Sequence, residues 1–355
     1  MATDNFAQLL LKWHITIDRP MPWKGERDAY RIWLSEIILQ QTRVAQGLPY
    51  YERFVAAYPT IVDLAAAPED EVLKLWEGLG YYSRARNLHA TAKRVATEYN
   101  GIFPSEYRQI RDLKGVGDYT AAAIASFAFG LPHAVLDGNV YRVLSRVYGI
   151  DTPIDTTAGK KQFSALAQQL LDTSAPAQYN QAIMDLGATV CTPRSPRCDV
   201  CPMRSRCIAY SEGRIDELPF KSKKLKKRIR HFNYLVIKRQ NVVYLRKRTD
   251  KDIWQGLYEY PLVESTASLD ANQLHSNLQY QTLLGHTDVQ LQATGKVYKQ
   301  QLTHQTILAK FWEVSLSQPL DSDDLIAVTV ENMQQYAFPK IIDLYLQDNT
   351  LYLRL

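Results

Sequence analysis

The segment LKGVGDYT (residues 113–120) decides the fold of the N-terminal half, because it places two glycines between two helical patterns. Gly115 and Gly117 permit a tight turn, and neither carries a side chain that would block an approach to the backbone. The following helix, predicted over 120–129, would present free N–H groups and its positive dipole end to an anion. A DNA phosphate suits such a site, although a simple connection between two helices has the same pattern.

The rest of the chain has the composition of a multidomain globular protein. Its 355 residues exceed what one core usually organises, and 46% hydrophobic with 22% charged residues exclude a disordered or fibrous chain. The most apolar stretch, 121–136, is interrupted by Ser126, Gly130 and His133, so we expect no membrane span. The N-terminus, MATDNFAQLLLKW, lacks the positive charge of a secretory signal, which predicts a cytoplasmic protein.

The hydrophobic pattern changes near residue 213, which indicates a domain boundary within 213–232. Apolar residues recur at helical spacing before this point, which predicts an all-α region, as in 51–58, 61–66, 70–77 and 83–99. After it, two alternating runs flank Gln240 and Asn241, which indicates a β-hairpin. Further patterns predict an α+β domain with strands over 305–314 and 324–330 and a helix over 339–347.

The boundary region contains the run KSKKLKKRIR (221–230), with seven basic residues and no acidic one. The net charge of the chain is only +5, so the distribution of charge is more informative than the total. The run is either a solvated linker or a segment that contacts phosphates, and the sequence favours neither.

All four cysteines of the chain lie within 17 residues, at Cys191, Cys198, Cys201 and Cys207. Disulfides are poorly supported in a cytosolic protein, whereas four clustered thiolates suit a tetrahedral metal ion or an iron-sulfur cluster. The spacing alone does not choose between zinc and iron-sulfur. Four arginines lie around the cysteines and would either face phosphate or offset the thiolate charge, namely Arg194, Arg197, Arg204 and Arg206.

Seven segments in order resemble the helix-hairpin-helix DNA glycosylases, and among them the adenine glycosylases of the MutY type. They comprise the LKGVGDYTA hairpin, the cysteine spacing, MPW (21–23), WLSEIILQQT (33–42), GLGYYSRARN (78–87), LDGNV (136–140) and NQAIMDLG (180–187). The resemblance covers essentially the whole chain and implies a 4Fe-4S cluster rather than zinc.

The same resemblance implies a domain layout. Residues 1–212 would form the catalytic helical region, with a six-helix barrel over about 29–136. An iron-sulfur cluster domain would combine 1–28 with 137–212. A basic linker over 213–232 would then lead to a Nudix-like domain over 233–355 that recognises 8-oxoguanine.

Two carboxyl groups are expected to do different work. Glu36 lies in mid-helix among Ile32, Trp33 and Ile37, and such surroundings penalise the charged form, so it could deliver a proton as a general acid. Asp137 precedes a predicted helix over 140–148, where the N-terminus stabilises an anion. Considered alone, Glu36 could be a solvated helix residue and Asp137 a simple N-cap.

The resemblance assigns roles to these groups. The residue matching Glu36 protonates adenine at N7 and assists water, the one matching Asp137 stabilises the cationic sugar, and Asn139 positions both. One protonated and one ionised carboxyl group is the pair that cleaves a glycosidic bond. Tyr119 occupies the hairpin position where strand-nicking relatives carry a nucleophilic lysine, so the sequence resembles a monofunctional enzyme.

Further residues match positions that hold the DNA open around a flipped adenine. Gln41 and Tyr81 match residues that insert into the helix near the opposite base, and Trp23 and Gln181 match positions that line the adenine pocket. Each of these side chains could otherwise be an ordinary surface amide or a packed aromatic residue.

The C-terminal region contains WQGLYEYP (254–261), as Nudix-like sheets do, but no glutamate-rich Nudix box. Pyrophosphate hydrolysis is therefore not expected, since nothing would bind magnesium. The resemblance implies recognition of 8-oxoguanine instead, and the family's Phe-Ser-His loop corresponds here to Leu302, Thr303 and His304. This departure keeps a hydroxyl and an imidazole but loses the aromatic ring.

Together these observations predict a monomeric, monofunctional glycosylase for adenine opposite 8-oxoguanine or guanine in duplex DNA, bacterial, cytoplasmic and associated with the nucleoid. Two alternatives stay open. One is an endonuclease III-like glycosylase/lyase for oxidised pyrimidines, and the other is a non-catalytic protein that binds damaged DNA.

Overall fold

The computed structural model describes residues 4–222, 227–285 and 289–349, so residues 223–226 of the basic run lie outside the described residues. The described residues divide into two compact units. The first comprises 4–66 with 87–222, and the second comprises 67–86 with 227–349. No helix within these ranges is long and apolar enough to cross a membrane.

The regular elements are numbered in chain order. The α-helices are α1 (Asp4–His14), α2 (Ala29–Leu39), α3 (Val44–Ala57), α4 (Ile61–Ala66), α5 (Glu69–Leu75), α6 (Ser83–Glu98), α7 (Tyr107–Arg111), α8 (Asp118–Phe129), α9 (Gly138–Tyr148), α10 (Thr157–Leu170), α11 (Pro176–Thr189), α12 (Ile208–Ser211), α13 (Ala271–His275), α14 (Leu278–Leu284) and α15 (Lys340–Asp348). Short 3-10 turns occupy Cys198–Val200, Arg204–Arg206 and Val330–Gln335. The strands are β1 (Arg228–Arg239), β2 (Val242–Lys247), β3 (Tyr258–Glu259), β4 (Leu262–Ser265), β5 (Val289–Gln301), β6 (Gln305–Leu316) and β7 (Ile326–Thr329).

The first unit is helical, as the spacing of its apolar residues predicts. Its helix ends follow local chemistry, since the Asp28 side chain caps α2 by accepting from the Tyr30 N–H at 2.8 Å. Gly130 ends α8 in the left-handed conformation, at a φ of 65°. The two glycines of the hairpin separate α7 from α8, and α8 begins at Asp118, two residues before the predicted start.

A large apolar core joins α1, α8, α9, α10 and α11 of this unit. Its fully buried members come from every one of these helices and include Phe6, Leu10, Ala123, Val143, Phe163, Ile183 and Leu186. Burying such side chains contributes roughly 1.5–3 kcal/mol each relative to leaving them exposed. The core therefore holds α8, whose first turn carries Tyr119, and α9, which Asp137 precedes.

The second unit is built on a mixed sheet in the order β3-β2-β1-β6-β5, with β4 paired to β1 and β7 paired to β2. The central strands β1 and β6 run parallel, with Arg228 opposite Gln305 and Lys238 opposite Ser315. The other pairs are antiparallel, and the β1–β2 hairpin turns at Gln240 and Asn241 as predicted. Phe311 of β6 stacks on Tyr345 of α15 at 4.0 Å, which seats the C-terminal helix on the sheet.

These observations confirm the predicted fold class, an all-α region followed by an α+β domain. Two details differ from the sequence-based expectation. Residues 67–86, within the range expected for the helical region, cluster with the second unit. The first strand begins at Arg228, inside the range expected for the linker.

Candidate active site

The hairpin between α7 and α8 has the geometry that its glycines predict. Gly115 has a φ of 81°, and a Cβ at this position would lie 2.9 Å from the Cβ of Asn87. A side chain is therefore excluded both by the backbone conformation and by the neighbouring helix α6. Gly117 caps α8 and has no heavy atom within 4 Å of its would-be Cβ, so the first N–H groups of α8 stay open to a ligand.

A cavity of about 1150 Å³ opens beside this hairpin in the first unit. The structure brings nine of the predicted site residues to its wall, which are Trp23, Glu36, Gln41, Gly115, Gly117, Tyr119, Asp137, Asn139 and Gln181. The volume is slightly above the usual range for small-molecule sites and leaves room for a nucleoside. Residues that are up to 158 positions apart in the chain, from Trp23 to Gln181, therefore share one site.

Glu36 faces the cavity from α2, while Trp33 and Ile37 on the same helix are buried in the core. Burial raises the pKa of Glu36 to about 7, the hydrogen bond with Tyr119 opposes this effect, and the charge of Asp137 adds to it. The carboxyl group can therefore hold a proton near neutral pH and release it to a bound base.

Tyr119 lies beside this acid at the start of α8. Burial raises the pKa of the phenol well above its ordinary value, and the nearby Glu36 and Asp137 raise it further. The hydroxyl stays protonated, so it can donate to the Glu36 carboxyl group. Its oxygen also lies 3.5 Å from the Sδ of Met184.

Asp137 caps α9, as its position before a helix predicts. Its carboxylate accepts from the Val140 N–H at 2.8 Å and from the Asn139 Nδ2 at 2.7 Å. Burial raises the pKa of Asp137, against the effect of these hydrogen bonds. Two donors nevertheless favour its anion, whereas Glu36 has one neutral hydroxyl partner, so a proton shared by the pair rests on Glu36.

Arg142 supports this arrangement, and sequence reasoning missed it. Its Nη2 donates to the Oδ1 of Asn139 at 2.9 Å and to the carbonyl oxygen of Gly187 at 2.7 Å, and its Nε donates to the carbonyl oxygen of Cys191 at 2.6 Å. The arginine therefore fixes the amide that donates to Asp137. A Cβ at Gly187 would lie 2.6 Å from that of Asn139, so α9 and α11 can approach this closely only at glycine.

The four cysteines line one small cavity beside Arg146, Arg197 and Arg204. Burial, together with the charges of the other three cysteines, raises the pKa of the Cys201 thiol to about 11. Arg146 points its Nη1 to within 3.5 Å of the Cys191 Sγ and also donates to the Thr192 carbonyl oxygen at 2.7 Å. Four cysteine sulfurs beside a cation fit a group that binds thiolates. Both the cation and such a group lower the pKa values of the thiols, because they stabilise the thiolate form.

Among the described residues, no group of three or more His, Cys, Asp and Glu side chains is placed to hold a single metal ion. Of the four arginines that the sequence places around the cysteines, Arg197 and Arg204 line this cavity. Arg146 on α9, which the sequence analysis did not single out, contacts the Cys191 sulfur from 45 residues earlier in the chain.

Two predicted DNA-contacting residues meet in the second unit. The hydroxyl of Tyr81 forms a hydrogen bond of 2.5 Å with the Oγ1 of Thr303. Tyr81 is 47% exposed, and its backbone φ is 49°. The Arg84 guanidinium lies over the rings of both Tyr81 and Trp76. His304 is exposed, and its carbonyl oxygen accepts from the Arg228 N–H at 3.0 Å.

Comparison with known proteins agrees with this geometry. Family profiles match residues 34–171 to the HhH-GPD superfamily of base excision DNA repair proteins, 191–207 to the iron-sulfur binding domain of endonuclease III, and 233–348 to the NUDIX domain. The adenine DNA glycosylase of Buchnera aphidicola subsp. Schizaphis graminum is 38% identical over 257 residues, which cover 72% of this chain and 74% of the relative. The chain belongs to the adenine DNA glycosylase family.

Other relatives of the chain are similar over shorter ranges. The human adenine DNA glycosylase is 46% identical over 222 residues, which cover 60% of this chain and 41% of the human protein. A thermostable thymine-DNA glycosylase of known structure has a TM-score of 0.55 and 32% identity, covering 59% of this chain and 97% of that one. Endonuclease III in a non-covalent complex with DNA shares the fold, with a TM-score of 0.52 and 21% identity over 60% of this chain and 98% of that one.

Family membership confirms several sequence-based predictions. The chain is a base-excision repair glycosylase, which hydrolyses N-glycosidic bonds in DNA. It carries a 4Fe-4S cluster, and the matched iron-sulfur range begins at Cys191 and ends at Cys207.

Proposed function

We propose that this glycosylase removes adenine paired with 8-oxoguanine or guanine from duplex DNA by monofunctional hydrolysis. The observation that carries the proposal is the placement of Glu36 and Asp137 on one cavity, where Glu36 holds a proton near neutral pH and Asp137 receives two hydrogen bonds as an anion. That pair has the asymmetry that glycosidic cleavage needs.

The chemistry follows from these positions. Protonated Glu36 gives its proton to N7 of an extruded adenine, and the bond between C1′ and N9 then breaks with its electron pair leaving on the base. The Asp137 carboxylate stabilises the positive charge that develops on the sugar. Glu36, now ionised, accepts a proton from the water that attacks C1′, so that the products are adenine and an abasic site.

Tyr119 supports hydrolysis without strand cleavage. A lyase needs an amine at this position of the hairpin to attack C1′ and form a Schiff base, and a phenol held protonated by burial does not supply one. Asn139 acts as a positioning residue, since its amide donates to Asp137 and is itself fixed by Arg142.

Groups within each unit suit contact with DNA. The open N–H groups after Gly117 suit a backbone phosphate, and the exposed Gln41 has a strained positive φ of 56° that suits insertion into a duplex. The linked hydroxyls of Tyr81 and Thr303 support recognition of the base opposite adenine by the second unit. We propose double-stranded DNA as the partner of a monomeric enzyme.

We further propose that Cys191, Cys198, Cys201 and Cys207 hold the 4Fe-4S cluster. When bound, the cluster supplies iron–thiolate bonds that tie together the loop following α11. Arg142 and Arg146 connect this loop to α9 through the Cys191 carbonyl oxygen and sulfur. The helix that Asp137 caps would therefore be anchored by the same loop.

The test measures single-turnover excision of adenine from a duplex with adenine opposite 8-oxoguanine, followed by alkaline cleavage of the abasic site. Glu36→Gln should reduce the rate at least about 100-fold while duplex binding is retained. Glu52→Gln, at an exposed position on α3, is the matched control and should keep the parent rate. Equal rates for the parent and Glu36→Gln would refute the catalytic assignment.

A second measurement addresses the lyase alternative. Borohydride should trap little covalent adduct with the parent protein on either adenine-containing or thymine-glycol DNA. Abundant trapping on thymine-glycol DNA would instead establish the endonuclease III-like activity.

A further inference from the structure

A buried carboxylate on α11 organises one wall of the cavity but takes no part in the reaction described above. Asp185 is fully buried. Its Oδ2 accepts from the His14 Nε2 at 3.0 Å, and its Oδ1 accepts from the Arg19 guanidinium and from the Gln181 Nε2 at 3.0 Å. The three donors line the cavity, whereas Asp185 lies behind them.

This environment keeps Asp185 ionised. Burial alone raises the pKa of its carboxyl group, but the hydrogen bonds from His14 and Arg19 outweigh burial and leave the pKa below its ordinary value. An ionised carboxylate only accepts hydrogen bonds. A neighbouring side chain can therefore meet Asp185 only with a donor.

Gln181 carries both a donor and an acceptor, and Asp185 decides which one faces it. The amide must turn its NH₂ group toward the carboxylate, so its carbonyl oxygen points the other way. Within the described ranges of the chain, this Oε1 has no hydrogen-bond partner, and the side chain is part of the cavity wall. The Gln181 Oε1 therefore offers the cavity a hydrogen-bond acceptor.

We propose that Asp185 is a positioning residue that selects the base, because it fixes the Gln181 amide with its acceptor oxygen toward the exocyclic group of the bound purine. Adenine carries an amino donor at C6, whereas hypoxanthine carries a carbonyl acceptor and unsubstituted purine carries neither. The inference rests on the proposed excision of adenine in this cavity. It assigns discrimination at C6 to a residue that does not touch the base.

The magnitude follows from hydrogen-bond recognition of bases. An acceptor facing an amino group is satisfied, whereas one facing a carbonyl group is left unpaired and repelled. One such contact typically discriminates by on the order of 10- to 100-fold. All three purines keep the N7 that receives the proton from Glu36, so the comparison isolates the group at C6.

The test measures single-turnover excision of adenine, purine and hypoxanthine from otherwise identical duplexes. Asp185→Leu removes the acceptor that orients Gln181, so the ratio of adenine to hypoxanthine excision should fall at least about tenfold. Asp185→Asn should retain most of that ratio, because its single carbonyl oxygen can still accept from both Arg19 and Gln181. Gln169→Leu, at an exposed position on α10, is the control and should retain the parent ratio.

The outcomes separate this inference from the proposed function. If Asp185→Leu lowers all three rates in the same proportion, its role is only structural and the inference is overturned. If that variant does not fold, Gln181→Leu decides, since an unchanged adenine-to-hypoxanthine ratio would overturn the inference and a lost ratio would support it. A parent protein that does not excise adenine would overturn the proposed function, and the inference with it.

Discussion

The raised pKa of Glu36 predicts that Glu36→Gln removes a pH-dependent loss of stability together with the proton donor. A carboxyl group whose pKa is higher in the folded than in the unfolded state binds its proton more tightly in the fold. The fold therefore loses stability as pH rises from the ordinary glutamate value of 4.5 to about 7, and above that the loss is complete. Glutamine does not titrate, so Glu36→Gln avoids this loss.

The size of the effect follows from the two pKa values. They differ by about 2.5, and each unit corresponds to about 1.4 kcal/mol, so the loss is about 3 kcal/mol at pH 8. At pH 5 the loss of stability is only about 1 kcal/mol. The buried amide adds a cost that does not depend on pH, so the informative quantity is the change between the two conditions, about 2 kcal/mol.

Urea unfolding at pH 5 and pH 8, followed by the fluorescence of buried Trp33 on the same helix, measures this quantity. The unfolding free energy of Glu36→Gln relative to the parent should rise by about 2 kcal/mol from pH 5 to pH 8. Glu52→Gln should show no such trend. A difference between Glu36→Gln and the parent that stays constant with pH would refute the conclusion that burial raises this pKa.

Three further outcomes are expected. Asp137→Asn should reduce single-turnover excision at least about 100-fold with little change in duplex affinity, and unchanged excision would contradict its role at the sugar. Cys198→Ser should lower the bound iron measured per chain and the visible absorbance of the cluster, whereas full iron content would remove this cysteine from the ligand set. Asp70→Ala should destabilise the second unit by about 1 kcal/mol in urea unfolding, because Lys247 and the Tyr258 hydroxyl lose their partner, and no change would show that these contacts are fully screened.

Local sequence signals predicted the turns that depend on glycine and the strands in which apolar and polar residues alternate. The hairpin at Gly115 and Gly117 and the turn at Gln240 and Asn241 both appear where expected, because each depends on a few adjacent residues. Strand β5 was not predicted. It is an edge strand with few buried positions and a bulge between Ala293 and Val297, so its residues show little alternation.

The site was predictable where a residue contributes its own chemistry and not where it acts through another. Glu36 and Asp137 carry recognisable roles in recognisable motifs. Arg142 and Arg146 lie at unremarkable positions of an amphipathic helix, and their partners are up to 72 residues away in sequence. Asp185 was visible inside the NQAIMDLG motif, but nothing in the sequence connects it to His14, 171 residues earlier.

The membership of residues 67–86 in the second unit has a consequence for how the chain reaches its final state. About 140 residues separate this segment from the strands that complete its unit. During synthesis, Leu73 and its neighbours must wait, without their final contacts, until the ribosome has made Gly256 and the residues around it. A nascent chain halted before that point would expose the apolar side chains of Val72 and Leu73 on α5 to chaperones and proteases, although most of the helical unit had already been made.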